Sequence, residues 1–175
     1  MNQTTITPTP LDVLKQFRAI FNTIKRHFQQ TETISRISGT QIWGLSIVAQ
    51  QPGVRVSDLA NMMCIHQSTC SNLTDQLCRQ KLTKKQRADR DQRVVRLYPT
   101  EEGLRVLNSA PRPLEGILPN ALQQLPNDDL TGLHLVLNKL LAILQQRDPS
   151  VMNSANMPLA DIVAPISPYT ERSAA

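Results

Sequence analysis

The run QSTCSNLTDQLCRQ (residues 67–80), followed directly by KLTKKQRADRDQRVVRLY (81–98), decides how this chain is read. At a helical period Cys70, Leu73, Thr74 and Leu77 share one face. The other face carries Gln67, Ser68, Ser71, Asn72 and Gln76, amides and hydroxyls with hardly any charge. A helix facing water ordinarily shows charge on that side. Asn and Gln can pair bidentately with adenine, and Ser with several bases, so this face suits base edges in a major groove. The second run gives Lys84 to Arg87, a polar tip at 88–92, and the alternating Val94-Val95-Arg96-Leu97-Tyr98, which reads as a β-hairpin. Between Arg79 and Arg96 eight basic residues face only Asp89 and Asp91, a local excess of six against a net charge of +5 for all 175 residues. An amide-lined helix beside a cationic hairpin is what reading a DNA duplex requires. Lys84, Lys85 and Arg87 would hold phosphates, and Arg93, steadied by Asp91, would probe the minor groove, with Arg90, nearer the middle of the turn, as the second candidate.

Outward from this block, Gln41 to Gln51 reads as a short buried helix through Ile42, Leu45, Ile47 and Val48, stopped by Pro52-Gly53. Val56 to Met63 reads as another, with Ser57 as cap and Leu59, Ala60 and Met63 facing in. Downstream, Thr100 is placed to cap a helix to about Ser109, with Glu101 and Glu102 in its first turn. Pro111, Pro113 and Pro119 then interrupt the chain, leaving a short helix from about Pro119 to Gln124. Two long stripes flank everything else. Leu14, Phe17, Phe21, Ile24 and Phe28 recur at helical steps within Leu11 to Gln30. Leu130, Leu133, Leu137, Leu140 and Leu144 do so in a helix that Asn127 can cap and Asp148-Pro149 ends. These helices can bury each other within one subunit or pair across a twofold axis. Residues 1–10 read as a flexible start. Residues 148–175, short of charge and rich in Pro, Ser, Ala and Asn, read as a largely disordered tail.

Helix, helix, turn, helix, basic hairpin, helix is the order of a winged helix-turn-helix. With VSDLA (56–60), QSTCSNLTDQL (67–77), DQR (91–93), Leu97 and TEEG (100–103) at these spacings, the chain resembles the multiple-antibiotic-resistance regulator (MarR) family over roughly residues 11–146. The resemblance implies a mainly α fold with a small β-hairpin wing, its DNA-binding part at about 38–104 within a unit spanning 11–147. It further implies a homodimer on a pseudo-palindromic double-stranded operator, a transcription repressor released by a small, often phenolic, effector. Leu14, Phe17 and Phe21 with Leu133, Leu137, Leu140 and Leu144 would join the subunits. Phe17, Phe21 and Trp43 would line an effector pocket. The sequence departs from the family pattern at Lys81, where Gly is usual, at Pro99, where an apolar residue is usual, and at Gln92, where many members carry Arg.

Plainer readings stand beside these. A charge run can be a solvated face, Trp43 and the Phe residues can be core, and the winged helix can serve protein–protein contact. A docking surface would carry aromatic or Leu anchors, and the 67–76 face has none. Cys64, Cys70 and Cys78 admit a redox-responsive regulator, although Cys70 falls on the inward face, where thiols are usually inert. An odd cysteine count without zinc spacing fits a reduced, cytoplasmic setting. His27, His66 and His134 lie far apart with no acidic or Cys partner at ligand spacing, so no metal and no cofactor are expected. No glycine loop for phosphate, nucleophile elbow or acid/base pair points to an enzyme. Residues 1–10 are polar and Pro-rich, unlike a signal peptide, and no apolar stretch approaches the roughly 18–20 residues of a membrane span.

Overall fold

The computed structural model describes residues 7–88 and 91–163, apart from the side chains of residues 88, 91–94, 161 and 163. Helix α1 runs from Pro10 to Ser35, past the end expected from its stripe. Thr9 caps it reciprocally: the Asp12 N–H donates to the Thr9 hydroxyl at 3.3 Å, and the Thr9 N–H donates to the Asp12 carboxylate at 3.1 Å. Its buried positions are Ile24, His27, Thr31 and Ser35, so the inward face is largely polar. The Thr31 and Ser35 hydroxyls are satisfied by donating to the carbonyls of His27 (2.9 Å) and Thr31 (2.6 Å). Leu14 and Phe21, from the apolar stripe, stay exposed.

Helix α2 (Gly39–Gln50) is the centre of the molecule, with Ile42, Leu45 and Val48 essentially inaccessible. Gly44 lets it approach α4 (Gln67–Arg79), since a Cβ there would lie 2.9 Å from Leu73 Cδ2. Strand β1 (Val54–Arg55), not foreseen from the sequence, leads into α3 (Val56–Met62). Arg55 rather than Ser57 occupies the N-cap of α3, and the Ser57 hydroxyl donates to Asp58 instead. The hairpin is β2 (Thr83–Ala88) and β3 (Asp91–Pro99), and β1 pairs with β3, giving an antiparallel sheet in the order β1-β3-β2. Two residues cannot announce themselves by periodicity, which is why β1 escaped.

Helix α4 ends in a Schellman arrangement. Lys81 adopts φ 60°, the Leu82 N–H donates to Leu77 O and the Lys81 N–H to Cys78 O, each at 2.9 Å, and Leu82 and Leu77 are both buried. The usual glycine at that position now has its reason: Lys81 sits in the left-handed region. Helix α5 (Glu101–Ser109) is capped by Thr100 as expected, the Gly103 N–H donating to its hydroxyl at 3.0 Å. That hydroxyl in turn donates to the carbonyls of Lys81 (2.7 Å) and Leu82 (3.1 Å), tying α5 to the root of the wing.

Helix α6 (Ile117–Gln123) and helix α7 (Asn127–Gln145) follow. Pro126, not Asn127, is the N-cap residue of α7. Among the described residues α1 and α7 form no extended contact with each other; α7 packs mainly on the turn that follows it. Leu133, Leu140 and Leu144 are therefore exposed and Leu137 half-buried. The expectation of a disordered tail from residue 148 is corrected as far as residue 163: Pro149–Ser154 forms a 3-10 turn and Leu159–Val163 a short helix, α8, which packs against α1 and α2. Residues 164–175 lie outside the described residues. Among the described residues no helix is long and apolar enough to cross a membrane.

Candidate nucleic-acid interface

On α4 the inward residues Cys70, Leu73, Thr74 and Leu77 are all buried. Gln67, Ser68, Asn72 and Gln76 are exposed and Ser71 is half-buried, so an amide and hydroxyl face is turned to solvent. His66 is the N-cap residue but its side chain makes no cap bond, so among the described residues the first-turn N–H groups of α4 have no side-chain acceptor. The first half of α4 and the sheet enclose a shallow hollow lined by Arg55, Ser57, Gln67, Ser71 and Lys85. Arg55 belongs to this surface and escaped sequence reading because it lies on the two-residue β1.

The basic hairpin is not uniformly free to meet a polyanion. Lys84 and Arg87 are exposed. Lys85, in register with the buried Leu97, lies on the face of the sheet towards α4, and its ammonium donates to the Asp75 carboxylate at 2.6 Å. That hydrogen bond, with the Lys85 charge, holds the Asp75 carboxyl below its ordinary value. The pair fixes the wing against the helix, a role that sequence spacing did not reveal. Arg96 is also engaged, its guanidinium donating to Gly53 O at 3.0 Å. Asp91 and Arg93 fall on β3, but their side chains lie outside the described residues, as does Arg90 altogether.

Gln76 is held too: its Oε1 accepts from Gln41 Nε2 at 3.1 Å. Trp43 lines a cavity of about 210 Å³ with Phe28, Met63 and Ile65 on one side and Met157 and Leu159 from the C-terminal segment on the other. The structure separates Phe17 and Phe21 from it: they stack on one another along α1, ring centroids 6.3 Å apart, and line no described cavity with Trp43. Phe28, further along α1 than the pair singled out from sequence, is the α1 aromatic that reaches the cavity. The Asn156 carbonyl accepts the His66 N–H at 3.3 Å, so the segment closing the cavity also touches the residue that starts α4.

Cys64, Cys70 and Cys78 are free thiols. Burial pushes the Cys70 thiol up to about 11, which removes it from thiolate chemistry at neutral pH. Among the described residues no three His, Cys, Asp or Glu side chains come together as a metal site.

Residues 37–95 match the model of the MarR family. Over this segment the chain is similar to the MarR family. The matched segment runs from α2 into β3 and includes the amide face of α4. No curated protein sequence matches the chain. Among solved structures it is similar to a MepR-like protein complexed with pseudoligands, with 18% identity over 79% of this chain and 97% of that one and a TM-score of 0.55. It is similar to S. aureus MepR in a DNA complex (21% identity, 79% and 100% covered, TM-score 0.54). The third is Streptococcus pneumoniae FabT in complex with DNA (16% identity, 80% and 100% covered, TM-score 0.52). At these identities the likeness concerns the fold, a winged helix with flanking helices around the matched segment.

Proposed function

We propose that this chain is a sequence-specific, non-enzymatic regulator of transcription that binds double-stranded DNA as a homodimer on a pseudo-palindromic operator and represses. The observation that carries the reading is the nearly uncharged face of α4, exposed beside a basic wing within the MarR-family segment. The amide and hydroxyl side chains enter the major groove, where they can read base edges, while Lys84, Arg87, Arg90 and Arg93 straddle phosphates and the neighbouring minor groove. Lys85 serves the wing's orientation rather than a phosphate, since Asp75 already neutralises it. That S. aureus MepR and S. pneumoniae FabT were solved with DNA supports the duplex as partner.

The exposed leucines of α7, with Leu14 and Phe21 of α1, support a homodimer, because contiguous apolar faces of this kind are costly in water and mark contact surfaces. The cavity beside Trp43 supports an effector. It is smaller than the roughly 300–1,000 Å³ of drug-sized sites, so it suits a single ring. Glu115 is its charged lining residue and can accept from a phenol O–H, while an anionic effector would be repelled.

The test is a mobility shift on DNA flanking the chain's own gene, with a salt series. About eight phosphate contacts per dimer predict a loss of roughly 10³–10⁵ in affinity between about 50 and 200 mM salt. Asn72→Ala should cost about 1–3 kcal/mol on the preferred site alone if Asn72 meets a base edge. Salt-independent binding, or none to any duplex, would defeat the reading.

A further inference from the structure

We propose that Gln76 meets DNA only as a hydrogen-bond donor, its amide locked in one orientation by a relay that starts at the backbone N–H of Ser38. The inference rests on the DNA-binding reading above and deepens it.

The two ends of a glutamine amide have nearly the same shape, so orientation is decided by the partners. A backbone N–H can only donate. The Ser38 N–H lies 2.9 Å from Gln41 Oε1, which fixes the carbonyl end of the Gln41 side chain there. The Gln41 amide NH₂ is then at the other end, 3.1 Å from Gln76, and it too can only donate. Gln76 must therefore turn its oxygen inward to accept, which leaves its own NH₂ at the outer end. Gln41 is buried, so turning it round would set two donors against each other with no water to relieve them. Gln76 itself is exposed, one helical turn beyond Asn72 and beside Arg79.

The chemical consequence is a restriction. Bidentate reading of adenine needs both an amide oxygen and an amide nitrogen. Asn72, which carries no such tie among the described residues, keeps both. Gln76 offers N–H alone and can pair with an acceptor: a phosphate oxygen, a purine N7, guanine O6 or thymine O4. It is unsuited to the amino groups of cytosine and adenine. A helix whose outward face reads in the sequence as five polar contacts thus contains one whose hydrogen-bonding sign is set by a residue 35 positions away.

The experiment selects duplexes from a random library with the full-length wild type, Gln41→Glu and Gln76→Leu. The carboxylate that Gln41→Glu introduces accepts at both ends, from the Ser38 N–H and from Gln76. It therefore turns the Gln76 oxygen towards DNA without changing any exposed residue. A base partner predicts an altered preference at one position per half-site. A phosphate partner predicts unchanged preference with affinity about tenfold or more weaker on every sequence. Gln76→Leu, compared at a temperature where circular dichroism shows it folded, should weaken binding by a similar factor. If Gln76→Leu binds as wild type does, or if a folded Gln41→Glu keeps both affinity and preference, the inference is overturned. A wild type that enriches no sequence defeats the parent reading instead, so the two failures are distinguishable.

Discussion

Gly103→Ala separates local preference from tertiary packing by sign. Gly103 lies in the first turn of α5, where alanine is a better helix former by up to about 1 kcal/mol, so propensity alone predicts stabilisation. A Cβ at this position, however, falls less than 3.0 Å from the Leu82 carbonyl oxygen, with Leu45 Cδ1 at 3.2 Å behind it. The obstacle is backbone, and it cannot rotate aside. That same carbonyl accepts the Thr100 N–H and the Thr100 hydroxyl, each at 3.1 Å. Moving α5 outward overpacks or opens a well-filled contact at about 1–3 kcal/mol. It also lengthens two hydrogen bonds, each contributing about 0.5–1.5 kcal/mol. After the helix-propensity gain the net expectation is a destabilisation of about 2–4 kcal/mol. Urea unfolding followed by far-UV circular dichroism measures it. Leu82 opens the wing, so affinity for DNA should fall as well at temperatures where the variant is still folded. A neutral or stabilised Gly103→Ala would refute the packing of α5 on the wing root.

Lys81→Gly should act in the opposite direction: occupying the left-handed region costs a non-glycine about 1–2 kcal/mol, glycine's extra chain freedom takes back about 0.5–1, and a net gain of about 0.5–1 kcal/mol should appear in thermal unfolding. The folded-state pKa of Asp75 is depressed, so its tie to Lys85 is present above the ordinary carboxylate value and is lost as pH falls through the lowered one. A carboxyl titration of Asp75 by NMR should show the lowered value in wild type and its return to normal in Lys85→Met. A chain ending at Asp148 should show red-shifted emission from Trp43, the single tryptophan, because Met157 and Leu159 no longer cover its cavity; unchanged emission would mean the segment does not seat there in solution. Leu137→Asp should sediment as a monomer, and a persisting dimer would place the subunit contact away from α7.

Whatever period and local chemistry carry was legible from the residues alone. The spacing of Cys70, Leu73, Thr74 and Leu77 set the inward side of α4, and with it the outward amide face, because 3.6 residues per turn leave no other partition. Thr100 followed by two acidic residues announced α5 for the equally local reason that a cap satisfies its own first turn. Features that depend on residues distant along the chain emerged only on folding. Strand β1 exists only because β3 offers it an edge, and the tail between 149 and 163 is ordered only because α1, α2 and the α3–α4 turn present an apolar hollow for it. Lys85 and Gln76 look like free polar contacts in the sequence, and only folding brings Asp75 and Gln41 within hydrogen-bonding distance to commit them. A side chain's composition states what it can bond, and its neighbours in space settle which of those bonds are left for a ligand.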